Sequence, residues 1–257
     1  MMASVDRGGV SIHYEVHGQP TDRVPLLLTH GYSSSTSMWG PNLDALGARR
    51  QVVTWDIRGH GRSDSPRRPE LYSEAASVAD MGAVLDAAGI DRAVVGGLSL
   101  GGYLSLAFHL AHPTRVTGLL LFDTGPGFKK DAARAEWNRY AEATGDRFER
   151  DGLTALSASP EVGTDVHDPI GLALAARGIL TQRDARIIES LANIQVPTLV
   201  LVGADDRPFR AAADYMAAKI PDAVLTVVAG AGHASNIDQP DAFNQEVTRF
   251  LDRGDVA

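Results

Sequence analysis

Apolar and polar positions along this chain follow two rhythms. From Val10 to His17 every second residue is apolar (Val10, Ile12, Tyr14, Val16). That is the period of a strand with one face on the core and the other toward solvent. Six shorter runs are continuously apolar: 26–28, 52–55, 93–95, 119–122, 198–202 and 225–228. Such runs suit strands covered by helices on both faces, the usual state of a parallel sheet. Helical periodicity falls between them. It predicts a helix from Ser73 to Ala88, with Ser73 as N-cap and Gly89 just past the end. Others are expected over 103–111, stopped by His112-Pro113, over 210–219 and over 241–251. Strands and helices alternating in this way predict an α/β fold with a doubly wound, mostly parallel sheet.

The alternation breaks between Pro126 and Asn193. Ala133, Trp137, Tyr140 and Thr144 share one face at helical spacing, and two further helical pieces lie within 168–191. The strand rhythm resumes just before Pro197. The expected organisation is therefore a core of residues 1–125 and 193–257, with residues 126–192 inserted as a helical cap over the strands' carboxyl ends. No internal repeat or low-complexity linker interrupts this plan.

Composition narrows the function classes. A chain of 257 residues suffices for one large α/β domain. Acidic residues outnumber basic ones, 32 to 24, for a net charge of −8, and no dense Lys/Arg run occurs, which argues against a nucleic-acid partner. There is no cysteine, which excludes disulfides, thiolate nucleophiles and cysteine zinc sites, and fits a reducing compartment. The first residues lack the apolar stretch of a signal peptide, and the longest apolar runs are too short to span a bilayer. A soluble cytoplasmic protein with no membrane partner is the expectation; oligomeric state is not legible.

Candidate chemistry centres on Gly97-Leu98-Ser99-Leu100-Gly101, between the apolar run 93–95 and the predicted helix. Serine flanked by glycines at i−2 and i+2, at a strand-to-helix turn, is a nucleophile elbow: the turn is too tight for side chains at the flanking sites. A serine hydroxyl needs a base, and the base needs an orienting group. His233 follows the last predicted strand in a glycine-rich loop, and Asp206 follows the preceding strand beside Asp205. All three should emerge at the carboxyl edge of the sheet, in the order Ser…Asp…His. An oxyanion hole requires two N–H donors. Leu100, next after the serine, and Tyr32, in the loop after an early strand, are the candidates.

These motifs, together with His30-Gly31, the run Asp56-Ile57-Arg58-Gly59-His60-Gly61-Arg62-Ser63 and Gly203-Ala204-Asp205-Asp206, resemble the α/β-hydrolase superfamily over nearly the full length. The likeness is to its lid-bearing esterase, enol-lactonase and haloperoxidase-like group. The resemblance implies an α/β-hydrolase fold, a Ser99–His233–Asp206 triad and no cofactor. It favours Asp206 over Asp205, because family members place the acid three residues after the strand-ending glycine. It also implies hydrolysis of a small carboxylic ester or lactone through an acyl-enzyme. Alternatives are a cofactor-free perhydrolase and a ligand receptor with vestigial hydrolysis. Ser99 disfavours the dehalogenase and epoxide-hydrolase branches, whose elbows carry aspartate.

Remaining residues have plainer readings. Asp56 and Arg58 are expected to pair and support a tight loop, and His30 to orient the oxyanion loop. Asp123, at a strand end, is expected to hydrogen-bond in the turn that follows. His109 and His112 lack further ligands nearby, so no metal site is expected. Met38 and Trp39, beside the oxyanion loop, and Trp137 and Tyr140, in the helical segment, are candidate substrate-binding residues.

Overall fold

The computed structural model describes residues 1–156 and 168–254. Eight strands form one sheet in the order β1-β2-β4-β3-β5-β6-β7-β8. β1 (Met2–Asp6) and β2 (Ser11–His17) are antiparallel to each other, and β2 is antiparallel to β4 (Val52–Trp55). From β4 onward all neighbours run parallel: β3 (Leu26–Thr29), β5 (Ala93–Leu98), β6 (Val116–Phe122), β7 (Thr198–Gly203) and β8 (Ala223–Val228).

Side chains of one strand alternate between two cores. Leu27, Val95, Leu119, Leu121, Val200 and Val202 enter the first, while Leu26, Leu28, Val94, Leu120, Leu199 and Leu201 enter the second. The continuous apolar runs are thus two alternating sets, each needed on its own face. The second core is closed by α1 (Gly40–Gly47) and α9 (Pro240–Leu251). The first is closed by α2 (Glu74–Ala87), α3 (Leu100–Ala111) and α7 (Arg207–Lys219). The Ser73 hydroxyl caps α2 by accepting from the Ala76 N–H at 3.0 Å.

β1, α1 and the short helix after β8 (Ser235–Asp238) went unforeseen. β1 is an edge strand whose residues are half-buried or exposed, so its pattern carries little apolar signal. α1 has Pro41 in its first turn and buries only Asn42 and Leu46.

Between β6 and β7 lie α4 (Asp131–Asp151), α5 (Pro169–Ala175), a π-helical turn (Ala176–Leu180) and α6 (Arg186–Ser190). Arg177 on the π turn meets Glu142, Asp146 and Glu149 of α4 at 3.2, 2.6 and 2.5 Å, tying the two segments together. The expected cap segment includes residues 157–167, which lie outside the described residues. The remaining helix, α8 (Ser235–Asp238), follows β8. Among the described residues no helix is long and apolar enough to cross a membrane.

Asp56 and Arg58 do not pair with each other. Asp56 accepts from the backbone N–H groups of Thr36 (2.7 Å) and Arg62 (2.8 Å), so it joins two loops. Arg58 instead reaches the fully buried Asp80 of α2 with two donors, at 2.8 and 2.7 Å. Backbone donors of two loops take up Asp56 and a buried carboxylate takes up Arg58, so neither is left for the other.

Candidate active site

β5 ends at Leu98 and α3 begins at Leu100, so the whole reversal falls on Ser99. Its φ of 55° and ψ of −115° lie in a region that L-residues rarely enter, at a cost of about 1–3 kcal/mol. The neighbours hold it there. The Ser99 N–H donates to Phe122 O at 2.9 Å, and its carbonyl accepts from Gly102 and Tyr103 N–H groups and the Thr124 hydroxyl. A Cβ on Gly101 would overlap the carbonyls of Thr29 and His30, and one on Gly97 would overlap the Thr29 carbonyl and Gly101. The glycines are required because β3 and α3 press against the elbow from both sides. Leu100 N–H is the first of α3, where the helix supplies no acceptor.

Asp206 and His233 arrive from the next two strand ends. Asp206 is buried at the N-terminus of α7, and its Oδ2 accepts from His233 Nδ1 at 2.8 Å. With Nδ1 donating, Nε2 is the nitrogen that can accept a proton. Phe209, one turn into α7, stacks on the imidazole at 4.8 Å and 25°. Asp205 is exposed, and Asp206 is the carboxylate that meets the histidine.

Asp123 has a larger part than its expected turn bond. It is fully buried, with a φ of 46°. Its Oδ1 accepts from Gly203 N–H at 2.7 Å; its Oδ2 accepts from the hydroxyl of Ser235 and, at 3.4 Å, from the Ser235 N–H. Gly203 lies three residues before Asp206, and Ser235 two after His233. One carboxyl therefore binds both loops that carry the His–Asp pair. Burial pushes its pKa up to about 7, the Ser235 and Gly203 hydrogen bonds and the His233 charge pull it down, and the Asp206 charge adds to the rise. Sequence gave no sign of this, since the partners lie 80 and 112 residues away.

A cavity of ≈ 780 Å³ opens over these groups, with Ser99, Asp206 and His233 all in its wall. Tyr32 and Leu100 line it from the core, and Trp137, Tyr140, Arg147 and Phe148 line it from α4. Trp137 is fixed by its indole N–H, which donates to Leu180 O at 2.8 Å. The Tyr32 hydroxyl donates to Leu172 O at 2.8 Å and its ring packs edge-on against Phe148. Burial pushes that phenol's pKa well above its ordinary value. His30 accepts from Ile57 N–H at Nε2 (3.0 Å), which leaves its Nδ1–H for Gly31 O (2.6 Å), bracing the loop that carries Tyr32.

Met38 and Trp39 are not in this wall. Both are buried in the second core, where Trp39 packs against Phe122 and Phe243 at 6.1 and 6.5 Å. The short helical turn Thr36–Trp39, capped by Ser35, directs them beneath the sheet. Nearness in sequence to Tyr32 did not carry them to the same cavity. Arg147, Phe209 and Tyr103, which do contribute, were not among the expected binding residues, while Phe148 is one of the apolar residues of the helical segment from which pocket-lining side chains are expected. Of the three, Arg147 was accessible in principle, since it continues the helical face of Trp137, Tyr140 and Thr144. His109 is buried at the end of α3, where burial lowers its pKa, and His112 packs on Phe108. Among the described residues no group of three or more His, Asp or Glu is arranged to hold a metal ion.

Comparison with known proteins places this geometry among relatives. The model of the alpha/beta hydrolase family matches residues 26–246. A protein of Caulobacter segnis carrying the provisional name carbamate hydrolase RutD is 32% identical, the alignment covering 94% of this chain and 96% of that one. The 3-oxoadipate enol-lactonase 1 of Acinetobacter baylyi is 29% identical over 96% of this chain and 95% of its own. The crystal structure of the enol-lactonase from Burkholderia xenovorans LB400 superposes with a TM-score of 0.77 at 28% identity, covering 97% of this chain and 99% of that one.

Proposed function

Because the chain belongs to the alpha/beta hydrolase family, we propose that it is a serine hydrolase of small carboxylic esters or lactones. The observation that carries this reading is the convergence of Ser99, at a strained elbow, with the His233–Asp206 pair in the wall of one cavity. In this scheme Ser99 Oγ attacks the carbonyl carbon while His233 Nε2 takes its proton. The Leu100 and Tyr32 N–H groups hold the oxyanion. His233 then returns the proton to the departing alkoxide, and an acyl-Ser99 ester remains. Water, deprotonated by His233, attacks that ester; Ser99 Oγ departs with the proton His233 took up, and the acid is released. Asp206 keeps the imidazole in the Nδ1–H tautomer throughout. No cofactor takes part.

The helices between β6 and β7 act as the lid, and Trp137 and Tyr140 contact substrate from it. The lactone choice draws on the enol-lactonases at 28–29% identity. A second reading, cleavage of a carbamate by the same residues, is favoured by the relative at 32%. The absence of cysteine fits the cytoplasm as the site of action.

The test is a panel of p-nitrophenyl esters, lactones and carbamates of graded acyl length, run with wild type and Ser99→Ala. Ester or lactone turnover should fall by roughly 10⁴–10⁶ in the variant. Near-normal activity without the Ser99 hydroxyl would overturn the mechanism, and turnover of the carbamates alone would select the second reading.

A further inference from the structure

Several donors in the cavity wall are spent on protein acceptors. The Trp137 indole donates to Leu180 O, and the hydroxyls of Tyr32, Tyr103, Thr124 and Thr144 donate to Leu172 O, Glu74 Oε2, Ser99 O and Tyr140 O. Gln182, between the π-helical turn and α6, is different. It lies in the same wall and is only 8% exposed. Asn138 of α4 clamps its backbone, donating to Gln182 O at 2.9 Å and accepting from Gln182 N–H at 2.8 Å. The side chain then reaches the loop after β6, where its Oε1 accepts from Phe128 N–H at 3.1 Å. Gly127, with a φ of 85°, lets the loop come this close, since a Cβ there would stand 2.8 Å from that oxygen.

A backbone N–H can only donate, so the bond from Phe128 fixes which end of the carboxamide is oxygen and which is nitrogen. The nitrogen, with two N–H bonds, has no acceptor among the described residues. Nor is it one of the buried atoms sealed from solvent, so it opens onto the space that Gln182 borders. Holding the loop explains the oxygen; it leaves the nitrogen unused. A substrate that fills the cavity strips water from this donor, and one without an acceptor there strands it, a penalty that discriminates strongly between analogues. The amide carries no charge to offset the desolvation of an anion, so the acceptor it suits is neutral. We propose that Gln182 Nε2 recognises an ether or carbonyl oxygen in the acyl part of the substrate, away from the bond to be cleaved. The acyl part is the one that stays on Ser99 through both half-reactions. This rests on the hydrolase reading above and narrows it to acyl chains bearing a second, uncharged oxygen function.

The experiment uses pairs of p-nitrophenyl esters of equal chain length. One member has an all-carbon acyl chain; the other has an ether oxygen in place of one methylene, moved stepwise along the chain. The readout is the kcat/KM ratio, ether over all-carbon, compared between wild type and variants so that intrinsic reactivity cancels. Gln182→Glu, ionised at about pH 9, keeps the acceptor for Phe128 N–H and lacks the donor; Gln182→Met lacks both. For the oxygen position that meets Nε2, the ratio should fall roughly tenfold in each variant, through KM rather than kcat. A Gln182 that merely holds the loop would leave every ratio as in wild type, whatever the loss of activity, and that result overturns the proposal. Gln182→Glu decides alone if Gln182→Met does not fold. A binding arm does not depend on turnover: calorimetry on Ser99→Ala with the methyl esters of the same pairs should show an affinity difference that Gln182→Glu removes. If Ser99→Ala remains active while that difference holds, the oxygen subsite stands and the catalytic reading falls.

Discussion

Replacing Asp123 by asparagine removes a titratable group from the point where three strand-end loops meet. In the folded protein its carboxyl has a pKa of about 7, against 3.8 for an unburied aspartate. The folded state therefore holds a proton that the unfolded chain has released, and stability must fall as pH rises through that interval. Roughly three pKa units at about 1.4 kcal/mol each give a total on the order of 4 kcal/mol, of which about 3 kcal/mol falls between about pH 5 and pH 8. Above about pH 8 the loss is complete and the curve levels. Asparagine keeps an acceptor for Gly203 N–H but turns an amide toward Ser235, a mismatch costing about 1–3 kcal/mol at every pH. That offset is constant; the slope is not. Urea unfolding of both proteins at several pH values isolates it, because titrating groups that do not feel the Asp123 charge cancel in the difference. Wild-type stability relative to Asp123→Asn should decline by about 3 kcal/mol from about pH 5 to pH 8. A difference that stays flat, or grows with pH, would refute the assignment of a buried, reluctantly ionised carboxyl between the His233 and Asp206 loops.

Asp206→Asn should lower ester kcat by about 10³–10⁴ because His233 loses its tautomer, whereas Asp205→Asn should leave it within a few fold; steady-state kinetics on the purified variants decides, and the opposite pattern would move the orienting role to Asp205. Trp39→Ala should cost about 3–5 kcal/mol of stability in chemical unfolding, as expected for a fully buried indole. If Trp39→Ala instead left stability intact and altered preference among acyl lengths, Trp39 would belong to the cavity after all.

The chain alone specified much of this molecule. Continuous apolar runs separated by helical periods could only be buried as a sheet with helices on both faces, and the glycine-flanked serine at 97–101 marked the tight turn from β5 into α3. Those signals are local: each depends on residues a few positions apart, and hydrophobic burial reads them the same way in any surroundings. β1 lacked that signal, because an edge strand buries too little to show it. What the tertiary structure decided was which distant residues became neighbours. It turned Met38 and Trp39 under the sheet, chose Asp206 over Asp205 for the bond to His233, and gave Arg58 to Asp80 rather than Asp56. It also brought Asp123 onto Gly203 and Ser235. Contacts across 80 or 112 residues leave no period in the sequence; they exist only once parallel strands have brought their carboxyl ends to one edge.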